Sequence, residues 1–380
     1  MNLVYNASST VFSGLLRTLP LLLVFACSEP INTQQNVTLD PGAVLGGENT
    51  AGFLRAEQTR NFSFPQDHGL HEGFRNEWWY VTGNLFSSSG RRFGYQLTFF
   101  YAALVPQGES SSGNAWISDR LWMAHLALTD SDNGRHYSAE RFSRENPSLA
   151  GAREGLVWLE DWALEIGEDD MPWQLHATEP GSAFGLQDLV LEPLKAPVLQ
   201  GKDGLSVKNT GAGNASYYYS MTRMQTEGEI VIEGELFQVS GLSWLDREWS
   251  TSALADNQRG WNWFSLQLAD GQELMYYQLL DDAGRPDLFS AGNLTDASGE
   301  QHYIAADAIA LHVLDFWTSP AGVEYPTTWR MQFADRSWQV KAVLQEQYMD
   351  LLVPYWEGAV DVLDEESGEI LGHGYLEMVR

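Results

Sequence analysis

The sequence is short of cysteine and of positive charge. It has one cysteine, Cys27, and its 22 Lys and Arg face 51 Asp and Glu, for a net charge of −29. One cysteine excludes a disulfide framework, and the absence of a Cys/His cluster argues against a zinc site. Nucleic-acid binding draws most of its affinity from neutralised phosphates, so this acidic chain is a poor candidate for that class.

Common catalytic motifs are missing as well. The chain has no GxSxG elbow, Walker loop, GxGxxG fingerprint, HExxH pair or EF-hand loop. The one histidine cluster, His68 and His71 with Glu72, would place its imidazoles on opposite faces of an extended strand. We therefore predict polar packing for this cluster rather than a metal, and we expect no cofactor.

The apolar run Leu15–Ala26 is too short to cross a bilayer as a helix and ends at Cys27. An aliphatic residue three before the cysteine and a small residue one before it predict a lipoprotein signal peptide over 1–26 and lipidation of Cys27. Residues 27–58 are polar and aperiodic, as in a flexible tether. Ser28 after the cysteine favours an outer-membrane anchor facing the periplasm of a bacterial envelope. The alternative is an ordinary secretory signal with an incidental cysteine.

From about residue 60 the pattern is that of strands and tight turns, with 12% aromatic residues and almost no helical periodicity. Length alone favours two domains, and we place them at 59–255 and 256–380. The pattern predicts an all-β fold of antiparallel strands, either barrels or sandwiches. Hairpins are predicted from strand pairs near residues 78–81 and 93–101, 126–129 and 135–137, 229–233 and 235–239, 261–269 and 272–280, and 329–333 and 338–340.

The clearest hairpin turns at Asp270-Gly271, the strongest local signal for a two-residue turn. A two-residue loop would pair Ala269 with Gln272, Ser265 with Tyr276 and Trp263 with Gln278. We expect one face of this hairpin to line a ligand cavity, with the side chains Trp261, Trp263, Ser265, Tyr276 and Gln278.

Three charges stand between two indoles in the segment Trp244-Leu245-Asp246-Arg247-Glu248-Trp249. These charges are often simple ion pairs at the end of a barrel. A carboxyl group packed against indole rings also has a raised pKa and can act as a general acid, while aromatic faces stabilise a carbocation. Asp246 and Glu248 are therefore the candidate catalytic residues. His125, alone on an apolar strand, is more typical of a hydrogen-bonded core residue.

Several motifs together resemble the hydroxyneurosporene-synthase (carotenoid 1,2-hydratase) and AttH-like family, often described as secreted hydrolases. They span most of the body: Asp67-His68, Glu77-Trp78-Trp79-Tyr80-Val81-Thr82-Gly83-Asn84-Leu85, Trp122-Met123-Ala124-His125, Asp246-Arg247-Glu248-Trp249 and Gly372-His373-Gly374-Tyr375-Leu376-Glu377. The resemblance implies two lipocalin-like antiparallel β-barrel domains side by side.

The resemblance also bears on the site. The hydratase branch of the family uses a His and a Trp two apart, then a Tyr and an Asp two apart, and needs no cofactor. Those positions fall here on Arg247 and Trp249, and on Tyr276 and Gln278. Arg stays protonated and Gln does not titrate, so these two positions cannot supply the proton transfer of carotenoid hydration.

Three functions remain open. The first is an envelope lipoprotein that binds an apolar lipid or isoprenoid in a barrel cavity; by resemblance it would act beside a lipoprotein-release-type ABC permease. The second is a cofactor-independent hydratase or hydrolase of an apolar substrate. The third is a carbohydrate-active protein, which composition allows but no motif supports. For the first two we predict one cavity lined by Asp246, Arg247, Glu248, Trp249, Trp263, Tyr276 and Gln278, with Arg247 paired to Asp246 or Glu248.

Overall fold

The protein is described by a computed structural model that covers residues 50–109, 118–167, 171–181, 183–252, 254–255 and 257–380. Cys27, the predicted signal peptide and most of the predicted tether lie outside these residues. No helix among the described residues has the length and apolarity needed to cross a membrane. Phe53 and Ala56 are buried in the core, so the folded body begins before residue 59.

Thirteen strands form the first sheet. They are β1 Asn76–Ser87, β2 Arg92–Ala103, β3 Arg120–Asp130, β4 Arg135–Arg144, β5 Ala150–Arg153, β6 Leu156–Leu159, β7 Trp162–Glu165, β8 Trp173–Glu179, β9 Phe184–Pro193, β10 Val198–Leu199, β11 Leu205–Val207, β12 Ala215–Ile232 and β13 Glu235–Ser250. Their order is β4-β3-β2-β1-β13-β12-β9-β8-β7-β6-β5, with β10 and β11 paired to β12. This antiparallel sheet is a nearly closed barrel.

The second sheet has ten strands. They are β14 Gln258–Leu268, β15 Glu273–Asp281, β16 Ala291–Thr295, β17 Gln301–Ala305, β18 Ile309–Thr318, β19 Glu324–Phe333, β20 Arg336–Ala342, β21 Tyr348–Met349, β22 Tyr355–Asp364 and β23 Ile370–Val379. Their order is β17-β16-β15-β14-β23-β22-β20-β19-β18, with β21 on β22. The described helical elements are two 3₁₀ turns, Gln66–His68 and Ala306–Ala308. The all-β prediction of two lipocalin-like barrels is confirmed, the second being a half-barrel.

All five predicted hairpins form, as β1–β2, β3–β4, β12–β13, β14–β15 and β19–β20. The β12–β13 hairpin shows why the sequence turns there. Glu233 and Gly234 both have positive φ, 52° and 80°. A two-residue turn of type I′ requires that conformation, and its twist matches that of the strands.

The predicted register of the β14–β15 hairpin is wrong by one residue. Leu268 donates its N–H to the Gln272 carbonyl at 2.8 Å, so the loop has three residues, Ala269 to Gly271. Gly271 adopts a φ of 84°, as the last residue of such a loop does. The pairs are therefore Trp263 with Tyr277 and Ser265 with Met275. Since a shift of one residue turns each side chain to the other face, Tyr276 leaves the predicted cavity face.

The central strands are buried on both faces because the two sheets pack against each other. Along β13, Leu245 and Trp249 belong to the core of the first barrel, whereas Trp244 belongs to a cluster between the sheets. On β15, Leu274 and Tyr276 lie in the core of the second barrel, and Tyr277 lies in the cluster between the sheets. Successive strand residues face opposite sides, so each central strand contributes to two cores.

Polar groups fix the second sheet against the first. The Gln267 amide donates to the carbonyls of Thr222 at 2.8 Å and Ser243 at 3.0 Å. The Lys195 ammonium donates to the buried Glu273 carboxylate at 2.7 Å. The backbones also approach closely at Gly94, where an added Cβ would lie 2.6 Å from the Ala359 Cβ.

Candidate functional site

A cavity of about 130 Å³ lies between the outer faces of the two sheets. Its wall is largely aromatic and aliphatic, with a polar group of acids and one lysine. The aromatic residues that line it are Trp78, Tyr80, Phe100, Tyr218, Trp261, Trp263, Tyr277 and Tyr355, and the titratable ones besides the tyrosines are His125, Lys208, Asp246, Glu248 and Glu377. An apolar cavity of about 150 Å³ admits a benzene ring, so this one has room for about one ring or the end of a chain.

Asp246 stands in the wall with its carboxyl group fully hydrogen-bonded. Tyr218 donates to one oxygen, while Ser220 donates to the other at 2.5 Å, as does the Trp244 indole N–H at 2.6 Å. Burial raises the pKa of Asp246 to about 7, against the opposing effect of these three donors. Asp246 is therefore an acid that holds a proton in a substantial fraction of molecules near neutral pH.

Glu377 on β23 is the second acid of the cavity. It accepts the Trp261 indole N–H at 2.5 Å. Burial, together with repulsion from Asp246 and Glu248, raises the pKa of Glu377 to about 7. Glu377 belongs to a motif of the family resemblance, but the sequence alone gives it no role, because nothing local shows that β23 reaches this cavity.

Glu248 is engaged differently. The Lys208 ammonium lies 2.5 Å from its Oε1, and Ser216 donates to the same oxygen. Both partners come from the β11–β12 region and fix the carboxylate in the wall. Of the two predicted catalytic acids, Asp246 is thus the one with the environment of a proton donor.

A further acid lies behind the aromatic wall. Tyr80, which lines the cavity, donates to Glu357 of β22. Glu357 is fully buried, and burial raises its pKa well above the usual range. Three carboxyl groups near the cavity thus have raised pKa values for the same cause, their removal from water.

His125 is a further polar residue of the wall. Its Nδ1 lies 2.8 Å from the Tyr355 hydroxyl oxygen, and its Nε2 has no hydrogen-bond partner among the described residues. Burial lowers the pKa of His125 to about 3, so the ring is neutral. The expectation of a hydrogen-bonded histidine holds for Nδ1, while Nε2 lies 4.0 Å from a carboxylate oxygen of Glu140 on β4.

Arg247 and Trp249 do not line this cavity, and the predicted pairing of Arg247 with Asp246 or Glu248 is wrong. Side chains alternate along β13, so Arg247 and Trp249 face one side of the sheet while Asp246 and Glu248 face the other. Arg247 points into the first barrel, where it donates to Glu77, to the Trp78 carbonyl at 2.6 Å and to the Gly69 carbonyl at 2.6 Å. Trp249 stacks on His71 there, with ring centroids 3.7 Å apart.

The histidine cluster belongs to that same buried network. His71 bonds Glu77 at 2.8 Å and Asp67 at 2.9 Å, and His68 lies 2.6 Å from the Tyr219 hydroxyl. Burial acts to lower the pKa of His71, but the two carboxylates outweigh it and raise the value. Burial acts to raise the pKa of Glu77, but Arg247 and His71 outweigh it and lower the value. The network is buried in the first barrel, with Glu77 and Arg247 fully shielded from solvent.

Tyr276 and Gln278 also lie elsewhere. Tyr276 is buried in the core of the second barrel, and Gln278 accepts a hydrogen bond from the Asn262 amide at 3.0 Å. The prediction of one cavity for all seven residues is therefore wrong. The structure brings together Asp246, Glu248 and Trp263, and it separates Trp249 and Tyr276 into different cores.

One group of side chains has the spacing of metal ligands. Potential ligand atoms of Asp296, Glu300 and His302 lie within 4.8 Å of one another on the β16–β17 hairpin. The group is largely exposed and lies apart from the cavity. Exposed acids are common without an ion, and we assign it no role.

The family model for AttH-like proteins matches residues 55–379, almost the whole of the described body. The chain belongs to the AttH-like family. A comparison with curated protein sequences found no match.

Solved structures agree with this assignment. An AttH-type protein from Nitrosomonas europaea is 34% identical, with a TM-score of 0.78 over 86% of this chain and 99% of its own. Kievitone hydratase from Nectria haematococca, 14% identical, has a TM-score of 0.60 over 86% and 98% of the two chains. CghA with bound Sch210972, 13% identical, has a TM-score of 0.52 over 90% and 98%. The last two show similarity of fold alone.

Proposed function

We propose that this AttH-like protein binds the apolar ring or chain end of a lipid or isoprenoid in the cavity between its two sheets. The observation that carries the proposal is the cavity itself, walled by eight aromatic side chains with few polar groups. Ligand sites are typically concave and apolar, with a few convergent polar groups that fix orientation. Here those groups are Asp246, Glu377 and His125.

A compound carried through purification gives the first test. Mass spectrometry of an organic extract of the purified protein should detect an apolar molecule in stoichiometric amount. Met123 lines the cavity and is half-buried, so Met123→Trp should fill it and release the compound. Phe142→Trp on the exposed face of β4 is the matched control and should retain the compound. Equal amounts in both variants would refute the cavity as the binding site.

The cellular context is part of the same proposal. Cys27 would anchor the protein to the bacterial envelope, at the outer membrane facing the periplasm, where apolar ligands pass between membranes. A lipoprotein-release-type ABC permease is the partner we propose. Cys27→Ser should move the protein from the membrane fraction to the soluble fraction, and retention of the variant at wild-type level would refute the anchor.

A cofactor-independent hydratase is the second candidate, and the raised pKa values of Asp246 and Glu377 favour it specifically. One carboxyl group would transfer its proton to an alkene carbon, leaving a carbocation facing the aromatic rings. Water would then bond to the cation and return a proton to the carboxylate. The fold is shared with an enzyme named as a hydratase, which motivates the test.

Deuterium exchange distinguishes catalysis from binding. In heavy water, 2-methyl-2-heptene should gain deuterium in the presence of the protein if the cavity protonates alkenes. Glu377→Gln and Asp246→Asn show which acid is responsible, since loss with either variant identifies the donor. No exchange above the buffer rate would leave ligand binding as the function and exclude the hydratase reading for such alkenes.

A further inference from the structure

Negative charge predominates among the polar groups of the cavity. Asp246, Glu248 and Glu377 face it, while Lys208 is the one lysine or arginine among the described residues that line it. Lys208 is already committed, because its ammonium lies 2.5 Å from Glu248. A ligand carboxylate or phosphate would therefore meet two further carboxyl groups and no free cation.

The aromatic wall already holds one positive charge. The Lys208 ammonium lies 4.8 Å from the Tyr277 ring centroid and 5.8 Å from that of Tyr218. Both distances fall within the range of about 6 Å for cation–π attraction. The indole N–H groups of Trp261 and Trp263 are bonded to Glu377 and Tyr218 within the wall. Neither indole needs a hydrogen-bond acceptor from a ligand, so these rings offer it their π-systems.

One carboxylate oxygen of the wall is left for a ligand. Glu377 Oε1 accepts from Trp261, and its Oε2 forms no hydrogen bond within the described part of the chain. His125 is completely buried and lines the cavity, but its Nε2 lies 4.0 Å from a carboxylate oxygen of Glu140 on β4, which is not among the lining residues. A carboxylate oxygen in a largely apolar wall needs a hydrogen-bond donor, so Glu377 Oε2 is the atom that a donor group of a ligand would satisfy.

We propose that the ligand carries a positively charged amine on its apolar body, held by Glu377 and by the rings of Trp261 and Trp263. Carboxylates combined with several aromatic rings form the environment in which proteins bind organic ammonium groups. The positive charge of the amine offsets the negative charge of Asp246 and Glu377, which is otherwise offset by bound protons. Anionic amphiphiles such as fatty acids should therefore bind more weakly than amines with the same apolar body. This inference rests on the proposed function, since it specifies the ligand of the same cavity.

Three probes with one body and different head groups test it. Isothermal titration of the full chain at pH 7.5 would compare 4-phenylbutylamine, 4-phenylbutanol and 4-phenylbutyrate. We expect the amine to bind at least tenfold more tightly than the alcohol, and the butyrate at least tenfold more weakly. Equal affinities, or preference for the butyrate, would overturn this inference and leave the apolar site intact. If none of the three binds, the inference and the proposed function both fail.

Two matched variants exclude attraction to the acidic surface as a whole. Glu377→Gln keeps the acceptor for Trp261 but removes the charge, so it should abolish most of the preference for the amine and leave alcohol affinity within about threefold. Glu366→Gln, at an exposed turn, should change neither. Asp246→Asn gives a second measurement should Glu377→Gln fold poorly. An amine preference that persists in the cavity variants, or that Glu366→Gln reduces equally, would overturn the proposal.

Discussion

Asp246 is the residue whose pKa most directly reflects the burial of polar groups in the cavity wall. Its pKa is about 7 in the folded protein, against about 3.9 in an unfolded chain. The folded state therefore binds this proton more tightly, and the resulting stabilisation is present below pH 4 and lost as the pH rises to 7. Ionised Asp246 is thus a cost to folding at alkaline pH.

Asp246→Asn should remove that pH dependence. Urea unfolding at pH 5 and pH 8 would compare wild type with variant, and the fall in unfolding free energy between the two should be smaller in the variant by about 2 kcal/mol. Groups that do not interact with Asp246 titrate equally in both proteins and cancel in the comparison. The pKa of Glu377 is raised in part by Asp246, so its titration adds to the difference in the same direction. An unchanged fall would mean that Asp246 is already ionised at pH 5.

The site was partly predictable at this scale. Asp246, Glu248 and Trp263 were placed together correctly, because charges between indoles and an aromatic hairpin both point to a cavity wall. Arg247 was misplaced because strand alternation separates it from its neighbours, a rule that the family mapping overrode. Its true partner, Glu77, is 170 residues away in sequence, and no local pattern reveals that contact.

The β14–β15 hairpin is the element that decides which tyrosine lines the cavity. With a three-residue loop, Tyr277 joins Trp263 in the cavity wall, and Tyr276 faces the second core. The strands themselves were predictable from alternation, but loop length was not, because Asp-Gly suits both two-residue and three-residue loops. One residue of loop length determined the register of the whole hairpin.

Matched substitutions distinguish the two registers. Tyr277→Leu should weaken binding of the co-purified compound or of 4-phenylbutanol at least tenfold. Tyr276→Leu should leave ligand affinity within about threefold. Both substitutions should lower the free energy of unfolding by about 2–4 kcal/mol. Titration calorimetry and urea unfolding measure the two effects separately. A larger loss of affinity in the Tyr276 variant would indicate that Tyr276 lines the cavity, as a two-residue loop would require.

The packing of one sheet on the other is the property of the whole molecule on which the cavity depends. The class of fold follows from the strand pattern, and the barrels follow from the family motifs. The face that each barrel presents to the other was not predictable, since both faces of the central strands are apolar. Gly94 marks this contact, because the Ala359 Cβ occupies the space that a side chain would need.

Gly94→Ala should therefore strain the contact between the sheets and lower the free energy of unfolding by about 1–3 kcal/mol. Ala359→Gly removes the opposing Cβ, and the next contact, the Tyr375 ring at 3.5 Å, is an ordinary one. The double variant should recover most of the loss in urea unfolding. Additive losses in the double variant would show that the two residues do not touch.

A crystal structure with 4-(4-bromophenyl)butylamine tests the central claim most directly, because bromine can be located by its anomalous signal. We expect a bromine peak in the cavity between the sheets, against Trp78, Trp263 and Tyr277, with the amine toward Glu377. A peak inside the first barrel beside Trp249, inside the second barrel beside Tyr276, or on the outer surface would contradict it.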